Sequence, residues 1–380
     1  MTSDTRTAPG PKVAMVVEQL WQPVPGGSGT YVVELAQALS ERGCRVAGLA
    51  AAHGAASAPA DLGLPASMPV RTARLPRTAL YESWNRLRRP RAESVLPGAD
   101  VVHATTWAVP GTRLPLAVTV HDLAFLRAPE HFTRRGTSFF LRCLDRTIAE
   151  ADVVITPSQA TADDCVAAGI EAERIVVIPH GVRTLPVTEE QVQAFRADHG
   201  LKGEYVLWTG THEPRKNLIA LLRAFSVLAT DYPGLDLVLV GPQGWGTNVE
   251  ERRLVEELGG RVHVTGRLSD ADLAAAYTGA RAFCFPSHWE GFGLPVLEAM
   301  AYGTPVVTSR GTCMEEVCGD AGLLAHSTAP DKIARQLARA IGPAHDELRA
   351  AGLERAATFT WQASAAAHEE VYADLAEGVR

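Results

Sequence analysis

From Val13 onward the chain repeats one alternation: a continuous run of β-branched and other apolar residues, then a segment of helical length, then another run. VAMVVEQL (13–20) reads as a buried strand and TYVVELAQALSERG (30–43) as a helix closed by glycine. CRVAGLAA, VVHATT, LAVTVHDL, DVVITPS and RIVVIPHGV carry the strand signal to about Val182. Strands that are apolar along their whole length need cover on both faces, which a parallel sheet flanked by helices provides.

Between positions 183 and 203 the text turns polar, RTLPVTEEQVQAFRADHGLKG, and predicts a linker with a short helix. The alternation then restarts: YVLWTG, the helix NLIALLRAFSVLATDY, LDLVLVGP, a helix around 250–258, VHVTG, the helix ADLAAAYTGA, RAFCFPS, a further helix, PVVTS and AGLLAH. A chain of 380 residues suits two domains of ordinary size, expected at 1–183 and 184–360. The fold class is therefore α/β, with two doubly wound domains in series. Ligands of such sheets bind beyond the carboxyl ends of the strands, so a central cleft between the domains is the expected site.

A formal charge of -7 gives no general case for a nucleic-acid partner. No apolar run approaches the roughly 20 residues that span a bilayer, and the opening MTSDTRTAPGPK lacks the apolar core of a secretory signal, so a cytoplasmic location is expected. Six scattered cysteines (44, 143, 165, 284, 313, 318) show no C-x-x-C pair and no zinc-type spacing, and read as small buried residues in a reducing compartment. LSDADLAAAY spells D-x-D at Asp270 and Asp272, but Ser269 or Asp270 stands where a helix cap belongs.

Four stretches carry chemistry. SHWEGFGLPVLEAMAYGTPVV places Glu290 in a glycine-rich loop and Glu298 in the first turns of a helix begun by Pro295. A helix N-terminus favours an anion, while the carboxylates need hydrogen-bond donors such as sugar hydroxyls. A capped helix with a solvated glutamate fits the same spelling. VLWTGTHEPRKNL brings Arg215 and Lys216 to a strand's carboxyl end before a helix capped by Asn217, which suits a diphosphate or a plain surface pair. VPGGSGTYVVEL puts Gly26, Gly27 and Gly29 between a strand and a helix, as a phosphate loop or a flexible connection; it is not G-x-G-x-x-G. In TVHDLAF, His121 and Asp122 follow a strand, as a ligand-facing pair or as a structural histidine and a cap.

Taken together, the E-x7-E element from Glu290 to Glu298, GTHEPRKN, GGSG, ITPSQATADD and VIPHGV resemble, in order and over nearly the whole chain, the retaining glycosyltransferases of the GT-B fold, family 4 (group 1), and within it mannosyl- and rhamnosyltransferases. The resemblance implies two Rossmann-like domains, with the last helix (361–380) packing back on the first. It assigns Glu298 to the ribose of a nucleotide-sugar, and Glu290 to the transferred sugar. Phe292, Gly293 and Leu294 would offer backbone amides, Arg215 and Lys216 would hold the diphosphate, and Gly27 and Gly29 would let the amino-terminal loop close on it. His121 would lie beside the reacting sugar. Where some members carry arginine after the strand-ending glycine, this chain has Thr211, leaving Arg215 as the second cation. No metal or other cofactor is expected, Glu290 is not expected to act as a covalent nucleophile, and GDP-mannose is the favoured donor.

The acceptor, a glycan, polyprenyl-linked or small-molecule hydroxyl, is expected on the first domain. RTARLPRTALYESWNRLRRPR (71–91) is basic and partly amphipathic, so it suits either anionic lipid at the inner face of the membrane or solvent; HFTRRGTSFFLRCLDR (131–146) shares the ambiguity. Rival functions are a nucleotide-sugar epimerase, a phosphorylase or a non-catalytic nucleotide-sugar-binding protein. A pyridoxal phosphorylase would need a cofactor lysine in the second domain, where Lys202, Lys216 and Lys332 stand in no such context.

Overall fold

The computed structural model describes residues 10–53, 59–242, 244 and 249–378. The polar residues 1–9 and the last two of the expected closing helix lie outside the described residues. The chain divides into two compact units: Met1–Gly181 with Trp361–Arg380, and Val182–Thr360.

Unit 1 holds a seven-stranded parallel sheet: β1 (Lys12–Val16), β2 (Arg45–Ala50), β3 (Val70–Thr72), β4 (Val101–Ala104), β5 (Leu116–Thr119), β6 (Val153–Thr156) and β7 (Ile175–Val177), in the order β3-β2-β1-β4-β5-β6-β7. β4, β5 and β6 are buried throughout, as apolar runs without alternation require. Strand order reverses between β2 and β4, both neighbours of β1. Unit 2 repeats the plan with β8 (Tyr205–Thr209), β9 (Asp236–Val240), β10 (Val262–Gly266), β11 (Ala282–Phe285), β12 (Val306–Ser309) and β13 (Gly322–Ala325), ordered β10-β9-β8-β11-β12-β13. Its switch point lies between β8 and β11.

The closing helix Trp361–Glu377 belongs to unit 1. Trp361, Ala365, Val371, Tyr372 and Leu375 share one core with Val13, Met15, Tyr31 and Leu35. Each large side chain so buried contributes about 1.5–3 kcal/mol relative to exposure, so a segment contiguous in sequence with unit 2 is held by unit 1. The polar stretch before β8 carries the helix Glu189–Asp198, opened by a capping box between Thr188 and Gln191.

Three local expectations change. The glycines of GGSG form no loop: the helix runs Gly26–Glu41 and they are its first turn. The reason is close packing, since a Cβ on Gly29 would stand 2.4 Å from that of Pro25. Asn217 occupies the cap position of the helix Leu218–Asp231 and its carbonyl accepts from Ala220 N at 3.1 Å, but its side chain makes no cap bond; it adopts φ 54 and uses its amide elsewhere. The basic stretch 71–91 is not one amphipathic surface. Arg71 sits on the edge strand β3, whose exposed charge discourages further strand pairing. Leu80 and Trp84, on the helix Arg77–Leu87, are core residues, and Arg88 is spent internally on Glu150 and the carbonyls of Trp84, Val109 and Pro110.

Among the described residues no cysteine is in a disulfide and five of the six are buried. No helix among the described residues is long and apolar enough to cross a membrane.

Candidate active site

The carboxyl ends of β8 and β11 gather the charged residues of unit 2. After β8 the chain makes a tight turn over Pro214–Lys216, then Asn217. The Asn217 side-chain amide donates to Pro286 O (2.9 Å) and Ser327 O (2.7 Å), so it ties this turn to the loops after β11 and β13. Those bonds require the left-handed backbone that asparagine tolerates better than most residues. His288 N donates to Arg215 O at 2.8 Å, a second tie.

Held in this way, Lys216 and Arg215 converge on Glu290. Lys216 Nζ lies 3.0 Å from Glu290 Oε1 and 4.6 Å from the Phe285 ring centroid. Arg215 pairs with the other carboxylate oxygen, reaches Glu213 at 3.1 Å and stacks over Trp289. Ser287 Oγ donates to Glu290 Oε1 at 3.1 Å. Burial would raise the Glu290 carboxyl, but Arg215 and Lys216 outweigh it and hold the group down to about 2. Burial also pushes Lys216 down from the ordinary lysine value, with Glu290 opposing. The result is a fixed carboxylate acceptor with cations beside it, in a largely dry setting where such charges act strongly.

Eight residues on, Glu298 lies in the helix Leu294–Ala301 and accepts from Tyr277 Oη at 2.9 Å; Tyr277 is itself 2.9 Å from Thr209 Oγ1. Burial raises Glu298, against the Tyr277 hydrogen bond and the charge of Lys216. The two glutamates thus differ in character: one is held ionised by cations, the other is eased toward its neutral form. The helix that bears Glu298 is preceded by Gly293, which has φ 92 and gives no side-chain cap; Pro295 has no N–H and Val296 N donates to Gly293 O at 2.9 Å, which leaves the Leu294 amide to meet an anion. A Cβ on Gly293 would stand 2.8 Å from Met314 Cγ, so glycine is demanded twice over. Phe292 is buried against Phe359, and Leu294 opens the helix. Thr211 packs its Cγ2 where a Cβ on Gly244 would stand 2.9 Å away.

His121, Gly27 and Gly29 lie in unit 1. His121 follows β5, and its Nε2 lies 3.0 Å from Thr105 O. A carbonyl only accepts, so that nitrogen carries hydrogen and Nδ1 keeps the lone pair of a neutral ring. Burial lowers its proton affinity, opposed by Thr105 and Asp122. Tyr31 meets the ring edge-on at 4.9 Å. Asp122 is a local cap, accepting from Ala124 N at 3.0 Å. Ser269 caps the helix Asp270–Gly279 through Asp272 N at 3.1 Å, the role its spelling suggests.

Sequence reasoning missed Tyr277, Ser287 and Asn217's tether. Tyr277 is one aromatic in an alanine-rich helix, a signal of burial rather than of a carboxylate partner, and a tether to two carbonyls leaves no pattern in the text.

Two family models match the chain: Glycosyltransferase Family 4 over residues 25–184 and Glycosyl transferases group 1 over residues 190–357. The chain is 33% identical over 286 residues to O-antigen chain mannosyltransferase B of Escherichia coli, covering 69% of this chain and 71% of that protein. It is 31% identical to the MMP alpha-(1->4)-mannosyltransferase of Mycolicibacterium hassiacum, covering 74% and 73%. Among solved structures, Anabaena HepE in complex with UDP and glucose superposes with a TM-score of 0.74 at 20% identity, over 95% of this chain and 99% of that one. With two parallel-sheet units of this order and a matching family model on each, the protein is a glycosyltransferase of family 4, group 1, with the GT-B fold.

Proposed function

We propose that the protein transfers mannose from GDP-mannose to a hydroxyl of a glycan, lipid-linked or small-molecule acceptor, with retention of anomeric configuration and without a metal ion. The observation that carries this reading is the convergence of Arg215 and Lys216 on Glu290 at the switch point of unit 2. The two mannosyltransferases among its relatives support the choice of sugar.

In this scheme Glu290 accepts from hydroxyls of the transferred sugar and Glu298 from the ribose. The difficult event is departure of the nucleoside diphosphate from the anomeric carbon. Charge grows on its oxygens, and Arg215, Lys216 and the Leu294 amide at the start of the helix Leu294–Ala301 oppose that charge without needing to reorganise. Two cations supply the role a divalent ion plays elsewhere, and Asp272 is occupied in a helix cap with Ser269, Asp270 being the first residue of that helix. The neutral Nδ1 of His121 accepts from a sugar hydroxyl. Phe292, Gly293 and Leu294 frame the sugar, and Gly27 in the first turn of the helix Gly26–Glu41 admits a phosphate close to the backbone, while Gly29 is taken up by packing on Pro25. With no added acceptor metal and EDTA present, purified protein, GDP-mannose and a mixture of mannosides should yield an α-linked product by NMR. A β-linked product, or turnover that stops on chelation, would overturn the reading.

A further inference from the structure

Unit 1 holds a cavity of about 590 Å³ lined by Glu82, Arg86, Arg134, Arg135, Ser138 and Arg142. It is contributed by two helices, Arg77–Leu87 and Arg134–Glu150. Four guanidinium groups share it with one carboxylate, in a chain of net charge -7. Glu82 already meets two of them, Arg86 and Arg142, each at 3.1 Å. Arg134 and Arg135 are exposed and form no ion pair among the described residues. Other arginines of unit 1 do find carboxylates: Arg42 pairs with Glu369, Arg127 with Asp164 and Arg174 with Glu171.

Position makes the excess more telling. Arg134 and Arg135 open a helix of 17 residues that has no acidic residue in its first turn. The amino end of a helix carries partial positive charge, so cations there cost stability, typically about 0.3–1 kcal/mol each. Two cations on that end, sharing the cavity with Arg142 of the same helix and Arg86 of the second, are arranged against folding stability and in favour of an anion. Guanidinium forks match phosphate oxygens in pairs, and the Ser138 hydroxyl adds a donor.

We propose that this cavity is an anion subsite for a phosphate or diphosphate group and, resting on the transferase reading above, that the group belongs to the acceptor. The glycosyl acceptor is then a phosphorylated or diphosphorylated compound, and Glu82 is the internal counter-ion that the phosphate displaces from Arg86 and Arg142.

The probe is inorganic pyrophosphate, titrated calorimetrically into full-length protein. Pyrophosphate also suits Arg215 and Lys216, so the variants are made in a Lys216→Ala background. There, Arg134→Ala/Arg135→Ala is expected to weaken the remaining site at least tenfold, and Glu82→Gln to tighten it several-fold. Unchanged affinity in the double-arginine variant, or weaker binding in Glu82→Gln, overturns the proposal. A Lys216-independent site that survives when the Lys216 site itself cannot be found would instead count against the donor reading alone. Co-sedimentation with phosphatidic acid vesicles, absent with phosphatidylcholine and lost in Arg134→Ala/Arg135→Ala, would place the phosphate on a lipid. Pyrophosphate binding without co-sedimentation would place it on a soluble carrier, and neither kind of binding by the wild type overturns the proposal.

Discussion

Lys216 and Glu290 face each other across a 3.0 Å ion pair in which each side chain is only a tenth exposed. A pair this buried is fixed by its surroundings rather than by its own attraction, because the desolvation of both charges offsets much of the Coulomb gain. What fixes it is the turn tethered by Asn217 on one side and the Ser287 hydrogen bond on the other. The pair is better explained as a site than as a device for stability.

Lys216→Ala and Glu290→Ala should each lower transfer by about 10²–10³-fold, the cost of removing one preorganised electrostatic partner. Far-UV circular dichroism should stay native, while the midpoint of thermal unfolding drops because the remaining charge is left without its buried partner. Initial rates on purified variants with matched spectra check both effects.

Glu290 titrates lower when folded, about 2 against an ordinary 4.5. A depressed carboxyl contributes stability that is fully present above pH 4.5 and is lost as pH falls toward 2, in all about 3 kcal/mol at 1.36 kcal/mol per unit. Acid denaturation of Glu290→Gln should therefore flatten in that window relative to wild type.

Unit 1 answers to a higher pH window. His103, His180 and His368 are buried and His121 is half-buried; all four are held below the ordinary value of 6.5, His368 to about 4, with desolvation the leading cause for each. Their neutral forms belong to the fold: Tyr31 Oη joins Thr119 and His368 at 2.9 Å each, and Tyr372 Oη meets His103 Nδ1 at 2.7 Å. The unfolded chain binds more protons, so stability is full above pH 6.5 and falls below it, by up to about 1.4 kcal/mol per pH unit for each histidine. Thermal melts from pH 7.5 to 4.5 should show this slope, reduced in His368→Gln.

Gly293→Ala should cost about 1–3 kcal/mol, from a left-handed φ of 92 and a Cβ 2.8 Å from Met314 Cγ. It should also raise the KM for donor, since the same turn aims the Leu294 amide at the start of the helix that carries Glu298. A melting curve with donor titration separates the two effects.

The apolar strands spelled out both sheets because the central ones, β4, β5, β6, β8 and β11, are buried on two faces, and apolar runs without polar breaks have one cheap solution. β3 was hidden, since three residues on an edge carrying an exposed arginine give no periodic signal. The glycine turn of the first helix was read as a loop for a similar reason: its helical state depends on Gly29 settling against Pro25. In the site, Glu290, Arg215 and Lys216 were legible as residue types at strand ends. Their mutual pairing was not, because it depends on contacts between distant loops. Nor was the arginine cavity, whose two helices are far apart in the chain and whose residues read separately as solvated basic stretches.

Thermal unfolding of wild type and Lys216→Ala, with GDP, UDP, ADP and dTDP and their sugars in EDTA, tests the donor clamp most directly. A ligand bound only by the native state adds about 2.7 kcal/mol at 100 times its Kd. GDP and GDP-mannose should raise the wild-type midpoint and leave Lys216→Ala unmoved. An equal shift in both proteins, or none in folded wild type with any nucleotide, would contradict the assignment of Arg215, Lys216 and Glu290 to a nucleotide-sugar.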